Sequence, residues 1–185
     1  MKLAIILPTL GRATLPRAIA SAMHQLDADT TIEVVGDGHR PDAEAAVDEV
    51  RDPRVRYSHH SDPVSMFGNA QRNHGIARSG ADWIMHLDDD DKLLDGAVAA
   101  VRRNMRFHKP LVFRMLHYGK VLWREPVMQF GNVGGAQLAC PRDQLKPWGI
   151  GNGSDFDCIV ATVNSHGIRW CCDVIYNCEE HHGGK

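Results

Sequence analysis

Short apolar runs alternate with helix-period segments through the first half of the chain, and this alternation restricts the fold more than any other feature. Leu3-Ala4-Ile5-Ile6-Leu7 is apolar at every position, as expected of a strand covered on both faces. Thr14 to Leu26 then places Leu15, Ile19, Met23 and Leu26 on one helical face. Pro16 sits in the first turn of that helix, where its missing N–H costs nothing. A strand at Thr31 to Val35, a helix over Pro41 to Val50 and a strand at Val55 to His59 follow, the last after the breaker Asp52-Pro53. Ser65 to Ser79 reads as a helix closed by Gly80, and Asp82 to Leu87 as a further strand. Asp95 is placed to cap a helix that turns Ala97, Val98, Val101 and Met105 inward. The order predicts an α/β fold: an open, mostly parallel twisted sheet with helices on both faces.

The second half is less regular. Leu111 to Val121 holds one or two strands, Gly131 to Gly135 is a glycine-rich turn, and Ile168 to Tyr176 is a final strand region. Between them, Phe156, Ile159, Val160 and Val163 share a helical face. Neither an internal repeat nor a low-complexity linker interrupts the 185 residues, so a single domain is expected.

Open α/β sheets bind ligands beyond the carboxyl ends of their strands. Thr9 to Arg12, Asp37 and the run Asp88-Asp89-Asp90-Asp91 all fall at such ends. Two carboxylates about 6 Å apart repel by roughly 3 kcal/mol at an effective dielectric near 20, about two pKa units. Four in a row therefore need solvent, raised pKa values or a cation. Such an oxygen-rich cluster suits Mg²⁺ or Mn²⁺, which take one or two carboxylates and leave positions for phosphate oxygens. A solvated acidic loop is the alternative. A calcium loop is excluded by spacing, because its sixth-position glycine and distal glutamate are missing.

The formal net charge is -2, with no basic block to carry general binding to nucleic acid or a membrane surface. The Leu3–Leu7 run is too short for a signal-peptide core, no stretch is long enough to span a bilayer, and a cytoplasmic location is expected. Cys140, Cys158, Cys171, Cys172 and Cys178 are an odd, late-clustered set, more like reduced thiols than a disulfide framework. Cys171, Cys172 and Cys178 with His181 and His182 do not match zinc spacing, since adjacent cysteines rarely both reach one ion.

Four segments, in this order, resemble the family-2 glycosyltransferases of the GT-A fold. They are Ile5-Ile6-Leu7-Pro8-Thr9-Leu10-Gly11-Arg12, Ile32-Glu33-Val34-Val35-Gly36-Asp37-Gly38, Asn69-Ala70-Gln71-Arg72-Asn73-His74-Gly75-Ile76-Ala77, and Leu87-Asp88-Asp89-Asp90-Asp91. Gly153-Ser154-Asp155-Phe156-Asp157 resembles that family's acidic motif, and Glu179-Glu180-His181-His182-Gly183-Gly184 its terminal histidine motif. The resemblance implies one catalytic domain over 1–185, with a nucleotide-sugar and metal half at 1–95 and an acceptor and base half at 96–185.

It also implies residue roles. Pro8, Thr9, Arg12, Asp37 and Arg72 would face the donor nucleotide, with Asp88 and Asp89. Asp88 and Asp90 would be the metal pair, joined by His182 or His181, with Mn²⁺ or Mg²⁺ as the ion; Asp91 would be structural. Asp155 would be the general base, and Gly134-Gly135-Ala136 could bring backbone amides to the sugar or phosphate. Taken singly, each residue has a plainer reading. Asp37 suits a turn before Gly38, Arg72 a solvated helix face, and Asp155 or Ser154 a helix cap. The two histidines suit a polar tail, and Asp157 a helix's first turn.

The implied reaction is metal-dependent, inverting transfer of a hexose from a UDP-linked sugar to an acceptor hydroxyl on a glycan, protein, lipid carrier or modified base. A partner subunit or a homo-oligomer could complete the acceptor site. A silent nucleotide-sugar binding module and a sugar nucleotidyltransferase are the alternatives. The latter calls for a glycine-rich basic loop after the first strand, where only Gly11-Arg12 stands. Leu10, Gly36 and Ser154 depart from an aromatic, an acidic residue and a glutamate that are frequent in the family. The chain also ends directly after the histidine motif.

Overall fold

The computed structural model describes residues 1–61, 67–149 and 153–179. Its first strand, β1 (Leu3–Thr9), lies between β2 (Thr30–Asp37) and β4 (Trp83–His86) and is parallel to both. β3 (Val55–His60) extends the sheet beyond β2, again parallel. The intervening helices are α1 (Leu15–Met23), α2 (Pro41–Val50) and α3 (Asn69–Ser79). The parallel register brings Thr9, Asp37 and the residues after His86 to one end of the sheet.

The second half contributes β5 (Lys92–Leu93), α4 (Ala97–Asn104), β6 (Leu111–His117), β7 (Lys120–Leu122), β8 (Leu138–Pro141), α5 (Ser154–His166) and β9 (Arg169–Cys178). The sheet order is β3-β2-β1-β4-β8-β6-β9-β5, with β7 paired to β6. β8 enters antiparallel between β4 and β6, β9 runs parallel to β6, and β5 pairs antiparallel with β9. The parallel character expected from the sequence therefore belongs chiefly to the first half.

Both faces of the sheet are covered. Along β1, Leu3, Ile5 and Leu7 pack with Leu15 and Ile19 of α1, Val47 of α2 and Val98 and Val101 of α4. Ala4 and Ile6 face the other way, against Ile76 of α3. Each buried aliphatic side chain of this kind stabilises the fold by roughly 1.5–3 kcal/mol. On that second face α5 adds Ile159 and Val163 to a smaller cluster with Val112, Trp123 and Leu138. A Cβ at Gly75 would stand 2.9 Å from Ile6 Cγ2 and 3.0 Å from Val35 Cγ2, so α3 lies closer to the sheet than a larger residue permits. That close approach sets Arg72, one turn earlier, over the strand ends.

Several local expectations are corrected. Asp95 does not cap α4: Gly96 occupies the N-cap in the left-handed region, and the Asp95 carboxylate instead lies 2.9 Å from His24 Nε2. α1 stops at Met23, and the chain to Leu26 closes in tight turns. α3 begins at Asn69, while 62–66 lie outside the described residues. β8 was not anticipated; its four residues are all buried and too few to carry a period. Cys171 is buried and Cys172 exposed on β9, so the two thiols cannot share an ion from one face. Burial pushes the Cys158 and Cys171 thiols up to about 11. Among the described residues, no helix is long and apolar enough to cross a membrane.

Candidate active site

A cleft of about 610 Å³ opens at the carboxyl ends of β1, β2 and β4. Into it come Pro8 and Thr9 at the end of β1 and Arg12 after it, Asp37 from β2, Arg72 from α3, Asp88, Asp89 and Asp90 after β4, and Asp155 from α5. His181 and His182 lie outside the described residues.

The four aspartates form a turn in which the Asp91 amide donates to the Asp88 carbonyl at 3.2 Å. Their burial alternates. Asp88 and Asp90 are partly exposed, while Asp89 and Asp91 are each only 4% exposed. Asp89 Oδ2 accepts from the Thr9 hydroxyl at 2.7 Å and the Leu10 amide at 3.1 Å, and its Oδ1 from Arg12 Nη1 at 3.0 Å. Burial raises its pKa against the opposing pull of Thr9 and Arg12. Asp91 accepts from the Tyr176 hydroxyl at 2.9 Å and the Glu179 amide at 3.1 Å. Burial, with the Asp88 charge adding to it, pushes Asp91 up to about 6. Asp88 pairs with Arg72 and Asp90 with Arg12. The mutual repulsion is thus met by raised pKa values on the inward pair and guanidinium groups on the cleft-facing pair.

Arg72 is held by several partners through its Nη atoms and guanidinium face. Its Nη1 donates to the Phe67 carbonyl at 2.7 Å and to Asn69 Oδ1 at 3.2 Å, and its guanidinium carbon lies 5.3 Å from the Trp148 ring centroid. At 8% exposure it is not a solvated helix residue. Beneath it His86 meets the Trp148 ring edge-on, 4.7 Å between centroids. Burial, reinforced by the Arg72 charge, holds the His86 pKa well below the usual imidazole range.

Asp37 accepts from Gln71 Nε2 at 2.5 Å, which ties the end of β2 to α3. Arg40 Nε donates to the Asp37 carbonyl at 2.8 Å. A Cβ at Gly36 would fall 2.6 Å from both the Gly38 carbonyl and the Tyr57 hydroxyl, so the acidic residue frequent at this position in the resembled family has no room here.

Asp155 stands in the first turn of α5. Gly153 is the N-cap, and no side chain caps the helix, so neither Ser154 nor Asp155 fills that role. Ser154 Oγ accepts from Asn69 Nδ2 at 2.6 Å, and Asp155 Oδ2 takes a long 3.4 Å contact from the Gly135 amide. Gly135 is required on the Trp148 side too: a Cβ there would lie 2.8 Å from Trp148 Cη2. Asp157 shares the first turn.

The sequence reading missed Asn69, Gln71, Trp148 and Tyr176 as parts of this site. One signal was available. Asn69, Gln71 and Arg72 make the start of α3 polar on a face that is nonetheless buried, which an amphipathic surface helix would not do. Trp148 and Tyr176 read as ordinary core aromatics.

Among the described residues, no group of three His, Cys, Asp or Glu is placed to hold a metal ion. The donor set nonetheless fits Mg²⁺ or Mn²⁺. Asp88 and Asp90 are hard oxygen ligands open to the cleft, and such ions are commonly held by one or two carboxylates plus substrate phosphates.

Residues 4–162 match the family described as glycosyl transferase family 2. Over 103 residues, 54% of the chain, it is 31% identical to the GalNAc(5)-diNAcBac-PP-undecaprenol beta-1,3-glucosyltransferase of Campylobacter jejuni. The crystal structure of S. aureus TarS 1-349 superimposes with a TM-score of 0.78 at 13% identity, covering 97% of this chain. The same TarS segment in complex with UDP-GlcNAc gives a TM-score of 0.76 at 15% identity, covering 100% of this chain. The chain spans 33% of the Campylobacter protein and 60% of each of these TarS chains.

Proposed function

Because the chain belongs to glycosyl transferase family 2, we propose that it moves a sugar, with inversion, from a UDP-linked donor to an acceptor hydroxyl, in a reaction dependent on Mn²⁺ or Mg²⁺. One observation carries the reading: Asp37, the acidic turn with its two arginines, and Asp155 line a single cleft. Asp37, at the end of β2, is suited to accept the ring N–H of uracil, and Thr9 and Pro8 border the same nucleoside side. Asp88 and Asp90 would hold the metal ion, which supplies charge neutralisation for the diphosphate leaving group. Arg12 and Arg72 contribute fixed positive charge beside those carboxylates, suited to phosphate oxygens.

Asp155 takes the proton of the acceptor hydroxyl as that oxygen attacks the anomeric carbon. The new carbon–oxygen bond forms on one face while the bond to the β-phosphate breaks on the other, and the nucleoside diphosphate leaves with the electron pair. A general base must reach the hydroxyl within hydrogen-bond distance. The first turn of α5 provides a carboxylate that no cap interaction occupies. Residues 1–95 would then serve the donor, and 96–185 the base and acceptor.

The names of the similar proteins support the substrate classes: one is described as a glucosyltransferase acting on a polyprenol-linked glycan, the other was crystallised with UDP-GlcNAc. A glycan or lipid-linked acceptor is the reading we adopt. The test is a thermal-shift and donor-hydrolysis screen of UDP-, GDP- and CMP-sugars with and without Mn²⁺. Stabilisation and slow hydrolysis are expected for UDP-sugars with the ion. Equal responses to all three nucleotides, or none, would contradict the proposal.

A further inference from the structure

One hydroxyl bridges the two ends of the acidic turn from below. Tyr176 lies on β9 with its side chain wholly buried in the main core cluster. The register pairs it with Leu93 of β5, directly after the turn. Its hydroxyl accepts from the Asp88 amide at 3.0 Å and donates to Asp91 Oδ2 at 2.9 Å. The hydroxyl therefore joins the backbone of the turn's first residue to the side chain of its last. Asp91 Oδ1 takes the Glu179 amide at 3.1 Å, and the Glu179 carboxylate pairs at 2.5 Å with both Arg17 and Lys92. Arg17 returns to the turn through the Asp90 carbonyl at 2.6 Å. The last strand and its end thus grip the segment whose partly exposed carboxylates, Asp88 and Asp90, open to the cleft.

We propose that Tyr176 is a positioning residue of the donor site: its hydroxyl fixes the turn that presents Asp88 and Asp90. The inference rests on the donor-site reading above. The chemistry singles out a phenol at this place. One group must accept an N–H and donate to a carboxylate at the same point, far enough from the β9 backbone to need an aromatic spacer. Phenylalanine would fill the same space but take the acceptor from the Asp88 amide and the phenolic donor from Asp91 Oδ2. Groups that orient metal-binding residues commonly matter about 10–100-fold in affinity, although they touch neither metal nor substrate.

The experiment compares wild type, Tyr176→Phe and Val101→Ala, the last a core truncation in α4 outside the cleft. Exchange of the Asp88 amide is followed by NMR, and Mn²⁺-dependent UDP binding by calorimetry well below each melting temperature. In Tyr176→Phe, Asp88 protection is expected to fall by about tenfold or more and UDP affinity by about 10–100-fold. Val101→Ala is expected to lose thermal stability but keep both. Wild-type protection of Asp88 in Tyr176→Phe overturns the positioning role whatever the ligand. Equal UDP affinity in Tyr176→Phe and wild type does the same. Weakening as large in Val101→Ala shows general loosening and also overturns it. Wild type that binds no UDP with Mn²⁺ contradicts the donor-site reading instead, and the role proposed for Tyr176 falls with it.

Discussion

Asn69 Nδ2 donates to Ser154 Oγ at 2.6 Å and joins the first residue of α3 to the first residue of α5. Asn69 also donates to the Gly149 carbonyl at 3.1 Å and accepts from Arg72, which pairs with Asp88. The acidic turn and the proposed base are therefore linked through Asp88, Arg72, Asn69 and Ser154. One turn further along α3, the Trp148 amide and carbonyl meet the Asn73 side chain, both at 2.9 Å. The two halves of the cleft share a continuous polar seam.

Ser154→Ala cuts that seam at the base side. Asp155 loses the neighbouring tie at the start of its helix, and displacements of about 1 Å can cost about 100-fold in rate. The expected outcome is a kcat lower by about 10–100-fold with little change in donor KM. A lower donor affinity with unchanged kcat would assign Ser154 to the donor side instead.

Gly75→Val tests the approach of α3 to the sheet. The added Cβ alone would stand 2.9 Å from Ile6 Cγ2, closer than real Cβ contacts, and a tight 3.0 Å from Val35 Cγ2. Overpacking of this kind costs about 1–3 kcal/mol, more than the few tenths gained in helix propensity. A loss of about 2 kcal/mol lowers the melting temperature of a domain this size by roughly 4–8 °C. An unchanged melting temperature would show that α3 can lift away without loss.

His74 gives a pH dependence whose sign follows from its surroundings. Burial, the neighbouring Arg78 on the same helix, and His60 and His59 on β3 all lower its pKa from the ordinary value. Below the unfolded value of about 6.5, the unfolded chain binds the proton more readily than the folded one. The His74 contribution thus weakens stability as pH falls from about 6.5 toward the depressed folded pKa, and vanishes above the unfolded value. His74→Gln should therefore flatten the fall in denaturation midpoint between about pH 7 and pH 5.5 relative to wild type. An identical profile for the two proteins would remove His74 from the account.

The first half of the fold was legible because its strands are continuously apolar and its helices keep a clean period. Leu3 to Leu7 and the α1 face are the clearest cases. β8 escaped because four buried residues carry no period, and its place between β4 and β6 is set by long-range pairing. The cap of α4 went to Gly96 instead of Asp95 because the chain enters through a left-handed residue, a backbone choice that composition does not reveal. In the site, the carboxylates and arginines stood out by their positions at strand ends. Their partners did not. Nothing local marks Tyr176 as the residue beneath the acidic turn or Trp148 as the ring beside Arg72, since both contacts span more than seventy positions.

The central claim is that Asp88 and Asp90 hold the donor through a divalent ion while Asp155 serves only the transfer. Calorimetric titration of UDP with and without Mn²⁺ tests it directly on wild type, Asp88→Ala/Asp90→Ala and Asp155→Ala. Wild type and Asp155→Ala are expected to bind with equal, Mn²⁺-dependent affinity, and the double variant to lose that dependence. Unchanged Mn²⁺-dependent binding by Asp88→Ala/Asp90→Ala would contradict the account.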